Sequence, residues 1–307
     1  MSLVDAFVPI WVLTAVGYAA RRRGLLGESA AAVLGRFVFH LAMPAALFLT
    51  LSTMPLAGFQ VRALGAFGLS TVAVVGVSWL GAGRLFGRKA GERPIWGMAA
   101  GYVNSANLGI PIAQQVLHSV SFLAEVVLFQ VLVVTPVILI ALDRHADAEG
   151  KVRVRRIASL PLRNPVILGS VLGVVWSAGH LPVPHEISGS LTLLATAAVP
   201  VALIALGASL HGDRAQQTAA RAEIAAITAL KLVLQPAAAL LAGLLLQLTH
   251  PQLLAVVVCA GLPTAQNTFI FAQEYGVGEA LANRAVLVTT TFSLATLAAT
   301  AALLGPS

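Results

Sequence analysis

Residues 101–111 read Gly-Tyr-Val-Asn-Ser-Ala-Asn-Leu-Gly-Ile-Pro and interrupt an otherwise apolar run near 94–117. Proline removes a backbone donor and clashes with the carbonyl four residues earlier, so we expect Pro111 to kink or unwind a helix. At bilayer depth, non-helical backbone is tolerated only where it is buried or lines a cavity. The stretch therefore predicts a broken membrane-spanning helix that lines an internal site.

A second stretch of the same kind, Gly-Leu-Pro-Thr-Ala-Gln-Asn-Thr-Phe at 261–269, interrupts the apolar run near 251–275. A shift of 160 residues superimposes Gly101 on Gly261 and Asn107 on Asn267. Two helices broken at corresponding depths in opposite orientations point to a substrate site near the membrane midplane.

The composition places these stretches in a membrane protein. Of the 307 residues, 58% are hydrophobic and only 10% are charged, against about 25% charged residues in soluble domains. Runs of about 20 apolar residues can cross the hydrocarbon core as helices. We expect an all-α polytopic membrane protein with ten transmembrane helices, near 3–20, 30–54, 61–83, 94–117, 120–142, 164–180, 187–210, 222–248, 251–275 and 279–304.

The basic residues predict the orientation of these spans. Of the 19 lysines and arginines, 16 fall in odd-numbered loops, which the positive-inside rule assigns to the cytoplasm, so both termini are expected outside. The net charge of +7 is explained by these loops, and no nucleic-acid partner is expected.

The hydrophilic stretch 143–163 divides the chain into five spans on each side. We expect a first repeat at 1–142, a cytoplasmic linker at 143–163 and a second repeat at 164–307. A shift of 156 residues keeps several residue types in register, for example Pro9 on Pro165, Gly17 on Gly173 and Pro44 on Pro200. Because each repeat has an odd number of spans, the two repeats must be inverted in the membrane.

A broken helix exposes the free amide donors and partial positive charge of its second half, which suit a carboxylate. Asn104, Asn107 and Asn267 add carboxamides that both donate and accept hydrogen bonds. The alternative is that these residues only kink and join helices.

Three ionisable residues within spans are candidates for electrostatic or coupling roles. Lys231 lies about nine residues into its span, which makes it a functional candidate, or else a cation that neutralises the carbonyl end of a half-helix. Glu274 is a coupling or gating carboxylate or an interfacial cap, and His40 lies on a face of the second span. No cofactor or metal site is expected, and a coupling ion, H⁺ or Na⁺, stays open.

With these residues in view, the sequence resembles the auxin efflux carrier family, which includes plant PIN proteins and bacterial transporters linked to malate or malonate. The resemblance rests on Asn104-x-x-x-x-Gly109-Ile110-Pro111 and on 262–276, Leu-Pro-Thr-Ala-Gln-Asn-Thr-Phe-Ile-Phe-Ala-Gln-Glu-Tyr-Gly. The short central loop resembles that of bacterial members, which implies a multi-pass protein of the bacterial inner membrane.

The resemblance also implies a mechanism. Broken helices 4 and 9 would cross, helices 1, 2, 6 and 7 would form a scaffold, and helices 3–5 and 8–10 a moving transport domain. The chain would be an elevator-like secondary transporter of a small organic anion, such as malonate, malate or an auxin-like acid. The substrate-binding residues would be Asn104, Ser105, Asn107, Pro111, Pro263, Thr264, Gln266 and Asn267.

Other functions are open at this level. A cation/proton antiporter of related inverted-repeat fold would need an acidic residue near the midplane. The two broken spans carry carboxamide side chains there instead. A transport-dead membrane sensor would carry the same binding residues. An enzyme is not expected, because the chain has no His-Glu-x-x-His or Gly-x-Ser-x-Gly motif. The partners expected are the anion and the lipid bilayer, and a homodimer stays open.

Overall fold

The computed structural model describes residues 3–53, 60–146, 165–210 and 221–304. These residues form helices, and the one β-type pairing among them is an isolated bridge at the centre of the molecule. The helices are α1 Leu3–Arg22, α2 Ala30–Ser52, α3 Val61–Arg84, α4 Arg93–Gly101, α5 at 105–117, α6 at 121–146, α7 Pro165–Ala178, α8 His185–Ser209, α9 Arg221–Leu245, α10 His250–Ala260, α11 Asn267–Glu274 and α12 Glu279–Leu304.

Six of the described helices are long and apolar enough to cross a membrane: α2, α3, α6, α8, α9 and α12. The shorter α7 and α10 are also apolar. The expected all-α membrane class is therefore confirmed for the described part of the chain. The two interrupted runs are divided as α4 and α5, and as α10 and α11, and most of the linker expected at 143–163 lies outside the described residues.

Four helices contain a π-turn that ends two residues before a proline. A proline cannot donate to the carbonyl one turn earlier and clashes with it, and the extra residue of a π-turn relieves that clash. The π-turns are Val38–Ala42 before Pro44, Ser105–Gly109 before Pro111, Gln130–Val134 before Pro136 and Leu230–Leu234 before Pro236. Three polar residues of these turns, Ser105, Gln130 and Lys231, lie in the protein interior.

Glycines bring α1 against α8 and α7 against α2. A Cβ atom on Gly17 would lie 2.2 Å from the carbonyl oxygen of Ile204, and one on Gly173 would lie 2.8 Å from that of Phe48. Small residues allow helix backbones to approach closely in this way. Gly17 and Gly173 are 156 residues apart, as are Phe48 and Ile204, so the shift found in the sequence relates the two contacts.

The loop after α3 is tied to the start of α9 by an ion pair. Arg88 Nη2 lies 2.7 Å from Glu223 Oε2, and Arg88 Nε donates to Glu223 Oε1 at 3.0 Å. The hydrogen bonds to the Glu223 carboxylate raise the pKa of Arg88. The pair joins the first and second halves of the chain, and because Glu223 is buried, removing Arg88 would leave an uncompensated buried carboxylate.

Candidate functional site

The two interruptions predicted from the sequence lie against each other. Helix α4 ends at Gly101 and α10 ends at Ala260, and the extended backbone that follows each of them pairs through an antiparallel bridge between Val103 and Thr264. Two backbone hydrogen bonds flank it, from Asn104 N to Pro263 O at 2.8 Å and from Ala265 N to Tyr102 O at 3.2 Å. We call this pairing of segments 102–104 and 262–266 the crossing.

Helix α9 supplies donors to the carbonyl ends of both half-helices that stop at the crossing. Lys231 Nζ donates to Ala260 O at 3.1 Å and also to Gln235 Oε1. Gln235 Nε2 in turn donates to Gly101 O at 3.0 Å. The last carbonyls of a helix lack intrahelical partners and carry the negative end of its dipole, so an ammonium and a carboxamide suit them.

Among the described residues, Lys231 has no acidic partner. Its side chain is fully buried, and in the part of the chain that the structure describes no carboxylate lies within ion-pair distance of it. Both of its hydrogen-bond acceptors are neutral oxygens. When it is protonated, a lysine held in this way leaves a positive potential beside the crossing.

Four of the predicted binding residues come together at the crossing. Asn104 is 2% exposed, and its Nδ2 donates to Gln266 Oε1 at 3.3 Å. Pro263 accepts from Asn104 N, and the Thr264 hydroxyl donates to Ala99 O at 2.6 Å. The amides of the two broken spans therefore meet each other in the interior.

The other predicted binding residues occupy the helices that leave the crossing. Ser105 is buried and begins α5, and Asn267 is partly buried and begins α11. Both helices thus start at the crossing, with their amino-terminal, positive ends beside it. Asn107 and Pro111 lie in α5, and their side chains are outside the part that the structure describes.

His40 and Glu274 meet each other away from the crossing. His40 Nε2 lies 3.6 Å from Glu274 Oε1. Glu274 is the last residue of α11, seven residues after Asn267, which corresponds to about 10 Å of helix. The contact joins α2 to α11, whereas Lys231 reaches the crossing itself. Among the described residues, no group of three His, Cys, Asp or Glu side chains is arranged to hold a metal ion.

Three further side chains, which were not predicted from the sequence, form hydrogen bonds at or beside the crossing. Gln235 is described above, Gln130 Nε2 donates to Val103 O at 3.0 Å, and Thr289 Oγ1 accepts from Thr264 N at 3.1 Å. A signal for the two glutamines was present, because each is a polar residue within an apolar run. Polar side chains at such positions are expected to face the protein interior.

Comparisons with known proteins give matches over most of the chain. A family model described as "Membrane transport protein" matches residues 2–300. The chain is 29% identical to "Uncharacterized transporter YfdV" of Escherichia coli K12 over 89% of this chain and 88% of that protein. It is 28% identical to "Putative malonate transporter" of Rhizobium meliloti (96% and 93% covered). It is 27% identical to "Probable auxin efflux carrier component 5a" of Oryza sativa subsp. japonica (93% and 92% covered).

Proposed function

The chain belongs to the membrane transport protein family, that of the auxin efflux carriers, and from this membership we propose that it is a secondary transporter of a small organic anion. That the chain is a membrane transporter follows from the family. Its secondary mechanism and its substrate are inferred from the crossing. A carboxylate such as malonate, malate or an auxin-like acid is the ligand proposed.

The observation that carries this proposal is the meeting of a buried lysine and two helix starts at the crossing. Lys231 is buried there without an acidic partner among the described residues, and α5 and α11 both begin there. Free amides and positive dipole ends at helix starts favour bound anions. The carboxamides of Asn104 and Gln266 would orient the carboxylate, and Ser105, Asn107, Pro111 and Asn267 would complete its surroundings.

The relatives support the same class of substrate. The Rhizobium meliloti protein, which resembles this chain over nearly its whole length, is named for malonate. Malonate is a small diacid, and a site with two helix starts suits two carboxylates. A cation/proton antiporter would instead need an acidic residue at the crossing.

We further propose ten spans in two inverted repeats, placed in a bacterial inner membrane with both termini outside. The support is the 156-residue relation between the Gly17–Ile204 and Gly173–Phe48 contacts. Helices α1, α2, α7 and α8 would form the scaffold. The transport domain would comprise α3–α6 and α9–α12, which contain the crossing and both partners of the Arg88–Glu223 pair.

In this mechanism the carboxylate binds at the crossing and travels with it. The transport domain slides against the scaffold, so that the crossing faces first one side of the membrane and then the other. The contact between His40 and Glu274 joins the two proposed bodies. It would be remade or broken during the movement and is the proposed place for coupling or gating.

Counterflow of labelled malonate, malate and indole-3-acetate in proteoliposomes tests the proposal. Wild-type protein should exchange at least one acid. Asn104→Ala should slow that exchange roughly tenfold, because a buried carboxamide that binds the substrate is lost. Gln114→Ala, which removes an exposed amide from α5, is the matched control and should retain exchange. Folded protein that exchanges none of these acids would contradict the proposal and favour an antiporter or a sensor.

A further inference from the structure

Gln130 places a carboxamide at the crossing from a helix that contributes no predicted binding residue. It lies in the π-turn of α6 and is 1% exposed. Its Nε2 donates to the carbonyl oxygen of Val103 at 3.0 Å. Val103 pairs with Thr264 and precedes Asn104, so the carboxamide of Gln130 lies one residue from the proposed carboxylate site.

The orientation of this carboxamide is fixed by its partner. A carbonyl oxygen can only accept, so the nitrogen of Gln130 must face Val103 O. Reversing the amide would set two oxygens against each other. Oε1 is therefore directed away from Val103, and it is buried with no hydrogen-bond partner in the described structure.

An unpaired buried amide oxygen is unfavourable. A donor that reaches it in another state of the protein, such as the substrate-bound state, would explain why it is placed there. The other buried glutamines at the crossing, Gln235 and Gln266, do not share this property. Gln235 uses its oxygen for Lys231 and its nitrogen for Gly101, and Gln266 Oε1 accepts from Asn104. The unpaired acceptor is thus a specific feature of Gln130 and not of every amide near the crossing.

We propose that Gln130 determines substrate specificity by accepting a hydrogen bond from a hydroxyl group, so that the preferred substrates are hydroxycarboxylates. The inference rests on the proposed function. The carboxylate of the substrate binds the helix starts and Asn104, and its hydroxyl donates to Gln130 Oε1 when neighbouring side chains move apart to admit it. A carboxylate without the hydroxyl would leave this acceptor unpaired, which sites of this kind discriminate against.

Malate and succinate test the proposal because they have the same carbon chain and two carboxylates and differ by one hydroxyl. We expect wild-type protein to show a KM for malate roughly tenfold or more below that for succinate in counterflow. Gln130→Met, which keeps the length of the side chain but has no acceptor amide, should bring the two KM values close together.

Two further variants separate a change in substrate specificity from a general loss of substrate binding. A protonated glutamate is isosteric with glutamine and can donate to Val103 O while it accepts with its other oxygen, so Gln130→Glu should keep the malate preference. Gln235→Met should weaken both acids alike and leave their ratio unchanged.

Equal KM values for malate and succinate in wild type would overturn the inference, as would an unchanged ratio in folded Gln130→Met. Thermal stabilisation of purified protein by each acid gives the same comparison without flux. Stabilisation by malate beyond that by succinate, lost in Gln130→Met, would support the hydroxyl site even if exchange fails. Equal stabilisation would overturn it, and absence of exchange alone would count against the proposed function.

Discussion

Lys231 shows how one residue serves both the fold and the proposed function. From the sequence, its two interpretations were a functional charge and a cation that neutralises the carbonyl end of a half-helix. The hydrogen bond to Ala260 O is the contact that the second interpretation requires. The same geometry leaves its charge without an acidic partner among the described residues, so the first role remains a prediction.

Removing this charge should weaken anion binding. Lys231→Gln keeps a donor for Ala260 O but has no charge, and we expect the KM for the transported acid to rise roughly tenfold. Lys231→Arg should retain part of the affinity because it keeps the cation. Counterflow measures both, and Lys89→Gln, which neutralises an exposed lysine in the loop before α4, is the matched control. Wild-type affinity in Lys231→Gln would eliminate the electrostatic role.

The place of the crossing could be predicted from particular residues, but its contacts could not. Pro111 and Pro263 marked the interruptions, whereas the contact of Asn104 with Gln266 is specified by neither stretch alone. The contribution of Gln130 could not be predicted, because it depends on which carbonyl of the broken helix lacks a donor. That carbonyl is defined only once the two segments pair.

At the level of elements, the sequence predicted where helices lie better than how they are built. The run near 94–117 was expected as one interrupted span, and it is α4 followed by α5. The prolines indicated local distortion, but a π-turn, a kink and an unwound segment all relieve the same clash. The choice among them depends on neighbouring helices, which a single chain segment does not specify.

Close packing of α8 on α1 depends on glycine. A Cβ atom on Gly207 would lie 2.0 Å from Thr14 O, a backbone atom that cannot move without shifting α1. Gly207→Ala should therefore destabilise the protein by about 1–3 kcal/mol. Thermal unfolding in detergent, followed by the loss of the monodisperse chromatographic peak, measures this.

The same helix provides the control for this substitution. Gly189 is exposed, and a Cβ atom there would meet nothing within 4 Å. Gly189→Ala should leave the unfolding temperature close to that of wild type. Equal unfolding temperatures for the Gly189 and Gly207 variants would show that the α1–α8 contact does not limit stability.

For the whole molecule, the sequence predicted the relation between halves that the glycine contacts now support. The 156-residue shift was found from residue types alone, and it also relates the contacts of Gly17 and Gly173. The grouping into scaffold and transport domain came from the family resemblance. It could not be obtained from apolar periodicity, because spans of both groups are similarly apolar.

The two proposed bodies touch where α2 faces α11. A Cβ atom on Gly35 would lie 3.6 Å from Gln273 Cγ, whose position the sulfur of a cysteine at 273 would take, so sulfur atoms at the two positions come within bonding reach. Gly35→Cys with Gln273→Cys should therefore form a disulfide across the proposed sliding surface. Cys259 is the one native cysteine, so Cys259→Ser provides the background. Val75→Cys with Gly97→Cys is the control pair within the transport domain, where a Cβ on Gly97 would lie 3.2 Å from Val75 Cγ1.

The central claim is that the crossing binds an organic anion and moves with it against the scaffold. Counterflow of the transported acid by the Gly35–Gln273 cysteine pair, oxidised and then reduced, tests this claim most directly. We predict that oxidation abolishes exchange, that reduction restores it, and that the control disulfide leaves exchange intact. Full exchange by protein shown to be completely cross-linked between α2 and α11 would contradict the account.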